Sequence, residues 1–444
     1  MNSSPTLAAG TTSTAPSYEQ EVKPIVRKIK RRLIPLVVAM YFIAYVDRSN
    51  IGFAALTMNR DLGLTPDVFG FAAGIFYLGY ILFEVPSNVM LHRFGARLWL
   101  ARIMITWGLL SIAMAFAQGA TSLSILRFLL GFAEAGLAPG LIFYLTVWFP
   151  KQELAKVISY YYLGLPLSTI VAGPLSGWIL DHFGYALGIR GWQWLFILEG
   201  IPAVIFAFVT LCFLTNSPEE ATWLTSREKE IYTKVMHQQR STIEAKESVS
   251  LKQALLDFRV WTLGIAYCFT VIGITGLGFW MPQIIKQFDF TNTSVGLLTM
   301  IPYGVGTVFM YLWSAHSDQT QERLWHFILP SVGLSVGFAI SATASSSTVS
   351  LLGMTVSTMG FLSAVPVFYT FPASFLTSSA SAVGLALINS IGNIGGFLGP
   401  YLIGVLTRST GGTVYGLWAV AALVLIAPIM VAALSRSKRA VDGK

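Results

Sequence analysis

Charged residues are scarce in this chain of 444 residues: they make up 11% of it, whereas 54% of the residues are hydrophobic. A soluble domain usually has about 25% charged and about 45–50% apolar residues. So little polar surface cannot cover a globule in water, which excludes cytosolic enzymes, secreted disulfide scaffolds and disordered chains. The composition therefore indicates an integral membrane protein.

Cysteine and histidine are also sparse. The two cysteines, Cys212 and Cys268, lie in apolar stretches and indicate no disulfide framework. The five histidines fall in loops or at the ends of apolar runs, and no H-E-x-x-H motif is present. We therefore expect neither a membrane-embedded metalloenzyme nor a bound cofactor or metal.

Long apolar runs dominate the chain instead. A helix needs roughly 20 apolar residues to cross the hydrocarbon core of a bilayer. Because the runs are continuously apolar rather than alternating, they predict helices and not a β-barrel. The sequence predicts an all-α membrane protein with twelve spans, at 33–57, 68–90, 98–118, 122–147, 157–181, 192–214, 259–285, 293–314, 325–344, 348–376, 382–407 and 413–435.

Polar segments divide these spans into two groups of six. We expect a cytosolic tail at 1–32, a six-helix bundle at 33–214, a cytoplasmic linker at 215–258, a second bundle at 259–435 and a second tail at 436–444. The first span is interpreted as uncleaved, since a basic run leads directly into it.

The positions of lysine and arginine predict the orientation of the chain. If both termini are cytoplasmic, most of the 29 basic residues lie in cytoplasmic tails and loops, as the positive-inside rule expects. The same distribution accounts for the net charge of +8 without a nucleic-acid partner. In the linker, Thr225 and Glu228 have the spacing of a capping box at the start of a short helix.

An internal repeat relates the two groups of spans. At an offset of 226 residues, Arg97-Leu98-Trp99 falls on Arg323-Leu324-Trp325, and Gly173-Pro174 falls on Gly399-Pro400. Two six-helix halves of the same orientation are the plan of a major facilitator transporter, which has its substrate site at the bilayer midplane between the halves.

The main candidates among the charged residues inside predicted spans are four, all of them in the first half: Asp47, Arg48, Arg127 and Glu134. A charged side chain at mid-membrane costs roughly 2.5–3.5 kcal/mol on insertion scales, so each needs a partner or a function. Their counterparts in the repeat are uncharged. The two halves therefore differ in electrostatics although their scaffolds match.

Helix geometry predicts how these groups face. Arg127 and Glu134 are two turns apart on one face, and Gly131 between them permits a close helix contact. Arg48 and Asp47 differ by about 100° around their helix. We expect Arg48 to face a central cavity and Asp47 to point toward the fourth span.

Two interpretations of the four charges remain open. One is a static cluster of buried ion pairs. The other is a transport site in which one arginine binds an anionic substrate and an acid exchanges a proton. Substrate binding at Arg48 would then release Asp47 or Glu134 from its partner, which would favour protonation of that acid.

Weaker candidates are neutral or lie near the predicted ends of spans. Asn389 and Asn393 are four residues apart in the eleventh span, and either bind substrate hydroxyls or join helices. Tyr80 either lines the cavity or packs. For Glu84 and Glu199 we expect interfacial or structural roles.

Several segments resemble a known family. Residues 88–97, NVMLHRFGAR, resemble the major facilitator loop signature G-x-x-x-D-R-x-G-R-R, with Asn88 and His92 departing from it. More narrowly, YVDRSNIGFA in the first span, RFLLGFAEAGLAPG in the fourth and LINSIGNIGGFLGP in the eleventh resemble the anion:cation symporter family. FEVPSN, LHRFGAR and GWQWLF are most similar to its bacterial tartrate-type branch.

The resemblance implies proton-coupled import of organic acids. It implies that Asp47 and Glu134 are the proton-linked acids, with Arg127 as the arginine that partners this cluster. It also implies that the substrate carboxylate binds Arg48, and that the cavity includes Tyr45, Tyr80 and Asn389. Leu165 stands where the galactonate carrier of that family has a polar glutamine.

We therefore expect a monomeric secondary transporter in a bacterial inner membrane. Driven by the proton gradient, it would take up a hydroxylated mono- or dicarboxylate by alternating access. The alternative is a proton-driven exporter or an uncoupled facilitator of organic acids or aromatic compounds. The Gly173-Pro174-x-x-Gly177 pattern is weakly similar to an antiporter motif, but Arg48 and Arg127 would repel a cationic drug.

Overall fold

The computed structural model describes residues 21–244, 256–373 and 378–442, and the regular structure in these residues is helical. The α-helices of the described residues, in chain order, are α1 Lys23–Asp61, α2 Pro66–Phe94, α3 Ala96–Met114, α4 Ala120–Glu134, α5 Leu137–Trp148, α6 Lys151–Tyr162, α7 Gly164–His182, α8 Gly191–Phe213, α9 Ser226–Glu244, α10 Phe258–Lys286, α11 Asn292–Thr320, α12 Leu324–Ala342, α13 Ser347–Phe368, α14 Thr370–Ala373, α15 Ser378–Thr410, α16 Val414–Val424 and α17 Ile426–Asp442.

The helices supply the membrane spans that the sequence predicts. Eleven helical segments of the described residues are long and apolar enough to cross a membrane. The twelfth span is α1, whose 39 residues extend about 58 Å. Its basic start and its mid-helix Asp47 and Arg48 make it more polar than the others. The all-α membrane fold predicted from the sequence is confirmed.

Four predicted spans are broken rather than continuous. The fourth consists of α4 and α5, which meet at Ala135 and Gly136. Gly136 has φ of 89°, which suits a residue without a Cβ, and a Cβ there would overlap Ser87 of α2. The fifth, tenth and twelfth spans are interrupted more mildly, at Leu163, Tyr369 and Leu425, where the backbone stays in the right-handed helical region.

The linker between the halves contains α9. The Glu228 backbone N–H donates to Thr225 Oγ1 at 3.2 Å, and the Thr225 N–H donates to Glu228 Oε2 at 2.8 Å, so the predicted capping box is confirmed. Lys28 Nζ also donates to Glu228 Oε2 at 2.8 Å, which holds the pKa of that carboxyl below its usual value. The start of α9 is therefore tied to the basic start of α1.

The internal repeat corresponds to equivalent helices of the two halves. The segment Arg97–Trp99 lies at the start of α3 and Arg323–Trp325 at the start of α12. The Gly-Pro pairs at 173–174 and 399–400 lie within α7 and α15. The same sequence features therefore recur at matching places in the fold.

The two halves meet along three helix pairs: α2 with α15, α7 with α11, and α1 with α10. Glycines bring these helices into backbone contact. A Cβ at Gly70 of α2 would overlap the Pro400 carbonyl oxygen of α15, and one at Gly177 of α7 would overlap the Asn292 carbonyl oxygen of α11. The interface between the halves is therefore tight where these helices cross.

Polar contacts close this interface at the end that carries Asp67. Asp181, near the end of α7, accepts hydrogen bonds from Asn292 Nδ2 at 2.8 Å and from the Thr293 N–H and hydroxyl at 2.7 Å each. Arg408 Nη1 of α15 donates to Asp67 Oδ2 of α2 at 2.6 Å. We call this the Asp67 end of the molecule, and the opposite end, which carries α9, the α9 end.

Candidate binding and proton-exchange site

The structure brings the four charged mid-span residues together inside the first half. Asp47 and Arg48 lie along α1, and Arg127 and Glu134 lie on α4. Asp47, Arg127 and Glu134 are fully buried, whereas the Arg48 side chain is 16% exposed. Arg48 is thus the member of the group that an incoming solute can reach.

Arg48 pairs with Glu134. Its Nε and Nη2 atoms donate to Glu134 Oε1 at 3.0 Å and 2.6 Å. The guanidinium carbon also lies 5.0 Å from the ring centre of Tyr45, 5.2 Å from that of Tyr80 and 5.3 Å from that of Phe76. A guanidinium that is stacked on aromatic rings is held in a fixed orientation, in which its planar fork can pair with a carboxylate.

Asp47 does not point toward the fourth span, so that expectation was wrong. Its carboxylate accepts hydrogen bonds from Trp107 Nε1 at 2.9 Å and from the Ser111 hydroxyl, both on α3, and from Asn50 Nδ2 at 3.1 Å. These three neutral donors, two on α3 and one on α1, satisfy the buried carboxylate with hydrogen bonds. Asp47 is therefore buried behind Arg48, within the first half.

Arg127 bonds the backbone of α2 instead of a carboxylate. Its Nε donates to the Ala72 carbonyl at 3.4 Å and its Nη2 to the Ala73 carbonyl at 3.2 Å, and its Nη1 has no hydrogen-bond partner among the described residues. Among those residues no carboxylate lies within 4.0 Å of it. The four charges therefore form one direct ion pair and not a fully paired static cluster.

The local sequence explains why α4 presents Arg127 and Glu134 to α2 and α1. Residues seven apart share a helix face. A Cβ at Gly131 would overlap the Phe76 carbonyl oxygen of α2, so glycine lets the two helices touch, as the sequence predicted. Immediately after Glu134 the helix ends, because Ala135 is extended.

The second half contributes neutral polar groups. Asn389 Nδ2 of α15 donates to Glu84 Oε1 of α2 at 3.2 Å, and this bond crosses between the halves. Asn393 lies one turn further along α15 and is half-buried. Tyr80 is buried, its ring lies next to Arg48, and it is one turn from Glu84 on α2.

Glu84 and Glu199 are both buried within the protein. Glu84 of α2 is 7% exposed. Glu199 of α8 is buried and accepts from Ser176 Oγ at 2.8 Å. The spacing of Tyr80 and Glu84, one turn apart, was the sequence signal that could have placed Glu84 in the site.

The site therefore offers a guanidinium, tyrosine rings, an amide and several buried carboxyl groups. Among the described residues, no group of three or more His, Cys, Asp and Glu side chains could hold a metal ion. The guanidinium can bind an organic acid, and the carboxyl groups can exchange protons.

Comparisons with known proteins cover nearly the whole chain. A family model described as Major Facilitator Superfamily matches residues 37–400. The chain is 46% identical over 413 residues to a protein of Agrobacterium vitis named "Putative tartrate transporter", covering 93% of this chain and 92% of the relative. It is 40% identical over 429 residues to "Putative metabolite transport protein NicT" of Pseudomonas putida, covering 96% and 98%.

Solved structures show the same fold. A bacterial homolog of the human lysosomal transporter Spinster, crystallised in an inward-facing and occupied conformation, matches with a TM-score of 0.76. The match covers 92% of this chain and 97% of that one, at 14% sequence identity. At this identity the likeness concerns the fold alone.

Proposed function

The chain belongs to the Major Facilitator Superfamily, and we propose that it imports a small organic anion together with protons by alternating access. Its family and relatives are transporters, so it is a multi-pass membrane transporter and not an enzyme. The observation that carries the proposal is Arg48: a partly exposed guanidinium next to the contact between the halves, held along one edge by Glu134.

Substrate binding and proton binding are linked through the Arg48–Glu134 pair. A substrate carboxylate that takes the place of Glu134 on Arg48 leaves Glu134 buried without its cation. A buried carboxylate without a partner is strongly unfavourable, so Glu134 takes a proton. Asp47, behind Arg48 and fully buried, is the second acid that exchanges a proton, and Arg127 supplies positive charge beside both.

The proposed substrate is a hydroxylated mono- or dicarboxylate of tartrate-like size. Arg48 binds one carboxylate, Tyr45 and Tyr80 form the walls, and Asn389 and Asn393 of the second half bind hydroxyl groups. The name of the relative from Agrobacterium vitis supports this class. Alternating access requires that both halves contact the same substrate, because the halves move against each other around one fixed site.

We assign the protein to a bacterial inner membrane, with the α9 end and both termini in the cytoplasm. The basic start of α1 and the α9 linker then lie on the side where the positive-inside rule expects them. The Asp67 end, which is closed in the structure, faces the periplasm. Each chain contains a complete site between its own halves, which supports a monomeric transporter.

Uptake into proteoliposomes tests the proposal. Purified protein is reconstituted, and accumulation of labelled tartrate and related hydroxy acids is measured with and without an inward proton gradient. We expect the gradient to drive accumulation, and an uncoupler to abolish it. Uptake that equilibrates at the same rate without a gradient would instead support the uncoupled facilitator, and absence of Arg48-dependent uptake of any organic acid would contradict the anion assignment.

A further inference from the structure

Glu84 lies at the contact between the two halves, one helical turn from the ring that covers Arg48. Tyr80 and Glu84 are four residues apart on α2, about 6 Å along the helix. The Arg48 guanidinium carbon lies 5.2 Å from the Tyr80 ring centre. From the other half, Asn389 Nδ2 donates to Glu84 Oε1 at 3.2 Å. Glu84 and Asn389 therefore lie next to the tyrosine wall of the site, one helical turn from Tyr80.

The carboxyl group of Glu84 has an unused oxygen. Its Oε1 accepts the hydrogen bond from Asn389, but its Oε2 is buried and has no hydrogen-bond partner among the described residues. A buried carboxyl oxygen is stable only when a donor reaches it. This oxygen is therefore available to a donor on the substrate.

The surrounding charges do not neutralise Glu84 directly. Among the described residues no lysine or arginine lies within 4.0 Å of it. Arg48 of α1 acts on it electrostatically, and Arg48 is itself bonded to Glu134 of α4. Arg102 of α3 lies over the ring of Phe83, which is the residue before Glu84 on α2. The neighbouring α5 contains no charged residue.

A substrate that binds Arg48 through one carboxylate and extends past Tyr80 would bring its far end to this carboxyl group. A hydroxyl there can donate to Glu84 Oε2, whereas a second carboxylate is repelled unless Glu84 carries a proton. We infer that Glu84, together with Asn389, determines substrate specificity: it accepts a hydroxyl at the end opposite the carboxylate on Arg48, and admits a second carboxylate only with a proton. The inference rests on the proposed function, which supplies the anionic end at Arg48.

Threonate and tartrate test this inference as a matched pair. Both are four-carbon hydroxy acids, and they differ only at one end, which is a hydroxymethyl group in threonate and a carboxylate in tartrate. Dissociation constants of both are measured by calorimetry on the purified full-length protein, at a mildly acidic and a mildly alkaline pH. In the wild type, acidification should tighten tartrate binding more than threonate binding, by up to about tenfold per pH unit.

Glu84→Gln should remove this difference, because an amide donates to a carboxylate without first taking a proton. At alkaline pH this variant should bind tartrate more tightly, relative to threonate, than the wild type does. The ratio of the two dissociation constants should no longer depend on pH. Asn389→Asp adds a carboxyl group at the same place and should shift the ratio the other way, which tests the inference even if Glu84→Gln does not fold. Glu199→Gln, which alters a buried carboxyl group bonded to Ser176, is the matched control and should leave the ratio unchanged.

The outcomes separate the two hypotheses. Binding that depends on Arg48, with a ratio that neither variant shifts, would overturn the role of Glu84 and leave the proposed function intact. Absence of Arg48-dependent binding of either acid would overturn the proposed function, and the role of Glu84 with it.

Discussion

Replacing Arg48 with alanine should abolish substrate binding and also destabilise the fold, and the two effects have separate causes. A bidentate contact with a carboxylate consists of two charge-assisted hydrogen bonds, each contributing about 1.5–3 kcal/mol. Their loss raises the dissociation constant by roughly two to four orders of magnitude. The destabilisation comes from Glu134, which is fully buried and loses its ion-pair partner, at a cost of about 3–5 kcal/mol.

A second substitution separates these effects. In Arg48→Ala/Glu134→Gln the buried charge is gone, so we expect most of the lost stability to return while binding stays absent. Arg48→Lys keeps the positive charge but loses the planar fork, and should weaken binding by roughly one to two orders of magnitude, since one of two bonds is lost. Stability is measured by thermal unfolding in detergent, and binding by calorimetry with tartrate and threonate.

The control is Arg190→Ala, which removes an arginine at the Asp67 end that pairs with Asp61 at 3.2 Å and is 43% exposed. Because the Arg190 side chain is largely solvated, the pair should contribute about 0–1 kcal/mol, so this variant should bind and unfold nearly as the wild type does. Wild-type affinity in Arg48→Ala/Glu134→Gln would refute the role of Arg48 as the substrate arginine. Equal stability of the single and double variants would refute the claim that Glu134 depends on it.

Three further substitutions test other parts of the structure. Asp47→Asn should reduce proton-driven accumulation by about tenfold or more while counterflow exchange is largely kept, because binding does not need this acid; equal loss of both would contradict its proton role. Gly131→Ala should lower the free energy of unfolding by about 1–3 kcal/mol, and the unfolding temperature with it, because its Cβ would overlap the Phe76 carbonyl oxygen. Gly333→Ala, which has open space around it, should leave the unfolding temperature unchanged. Asp181→Ala should speed amide hydrogen exchange at the start of α11, where it removes three hydrogen bonds between the halves; unchanged exchange would show that they do not hold that end closed.

The membrane helices could be predicted from the sequence because hydropathy and length report what the bilayer itself demands. The breaks within four spans could not. Ala135 and Gly136 lie in an apolar stretch, and the break depends on a left-handed glycine packed against Ser87 of another helix. The local sequence contains the glycine but not the neighbour that makes it necessary.

Within the site, relations along one helix were predictable and relations between helices were not. The shared face of Arg127 and Glu134 follows from their spacing, and the contact at Gly131 follows from its size. The direction of Asp47 depends on how α1 is rotated against α3, which Trp107 and Ser111 fix through their hydrogen bonds. No pattern within the first span carries that information.

The unequal distribution of charge between the halves restricts how binding can be communicated. Among the described residues, the first half holds the buried arginine and the buried acids, which include Glu134. The buried polar residues of the second half are Ser, Thr and one His. If the site exchanges a proton, as we propose, protonation changes the charge of the first half, and the second half can sense it only through contacts that cross the interface. Near the site, the bond between Glu84 and Asn389 is such a contact, because it joins a titratable group to the other half. A substrate or proton that breaks this bond would weaken the contact of α15 with α2 near the site, whereas the hydrogen bonds to Asp181 at the other end would be unaffected. On the proposed function, a change of charge at the site would therefore weaken the interface near Glu84 before it affects the contacts at Asp181.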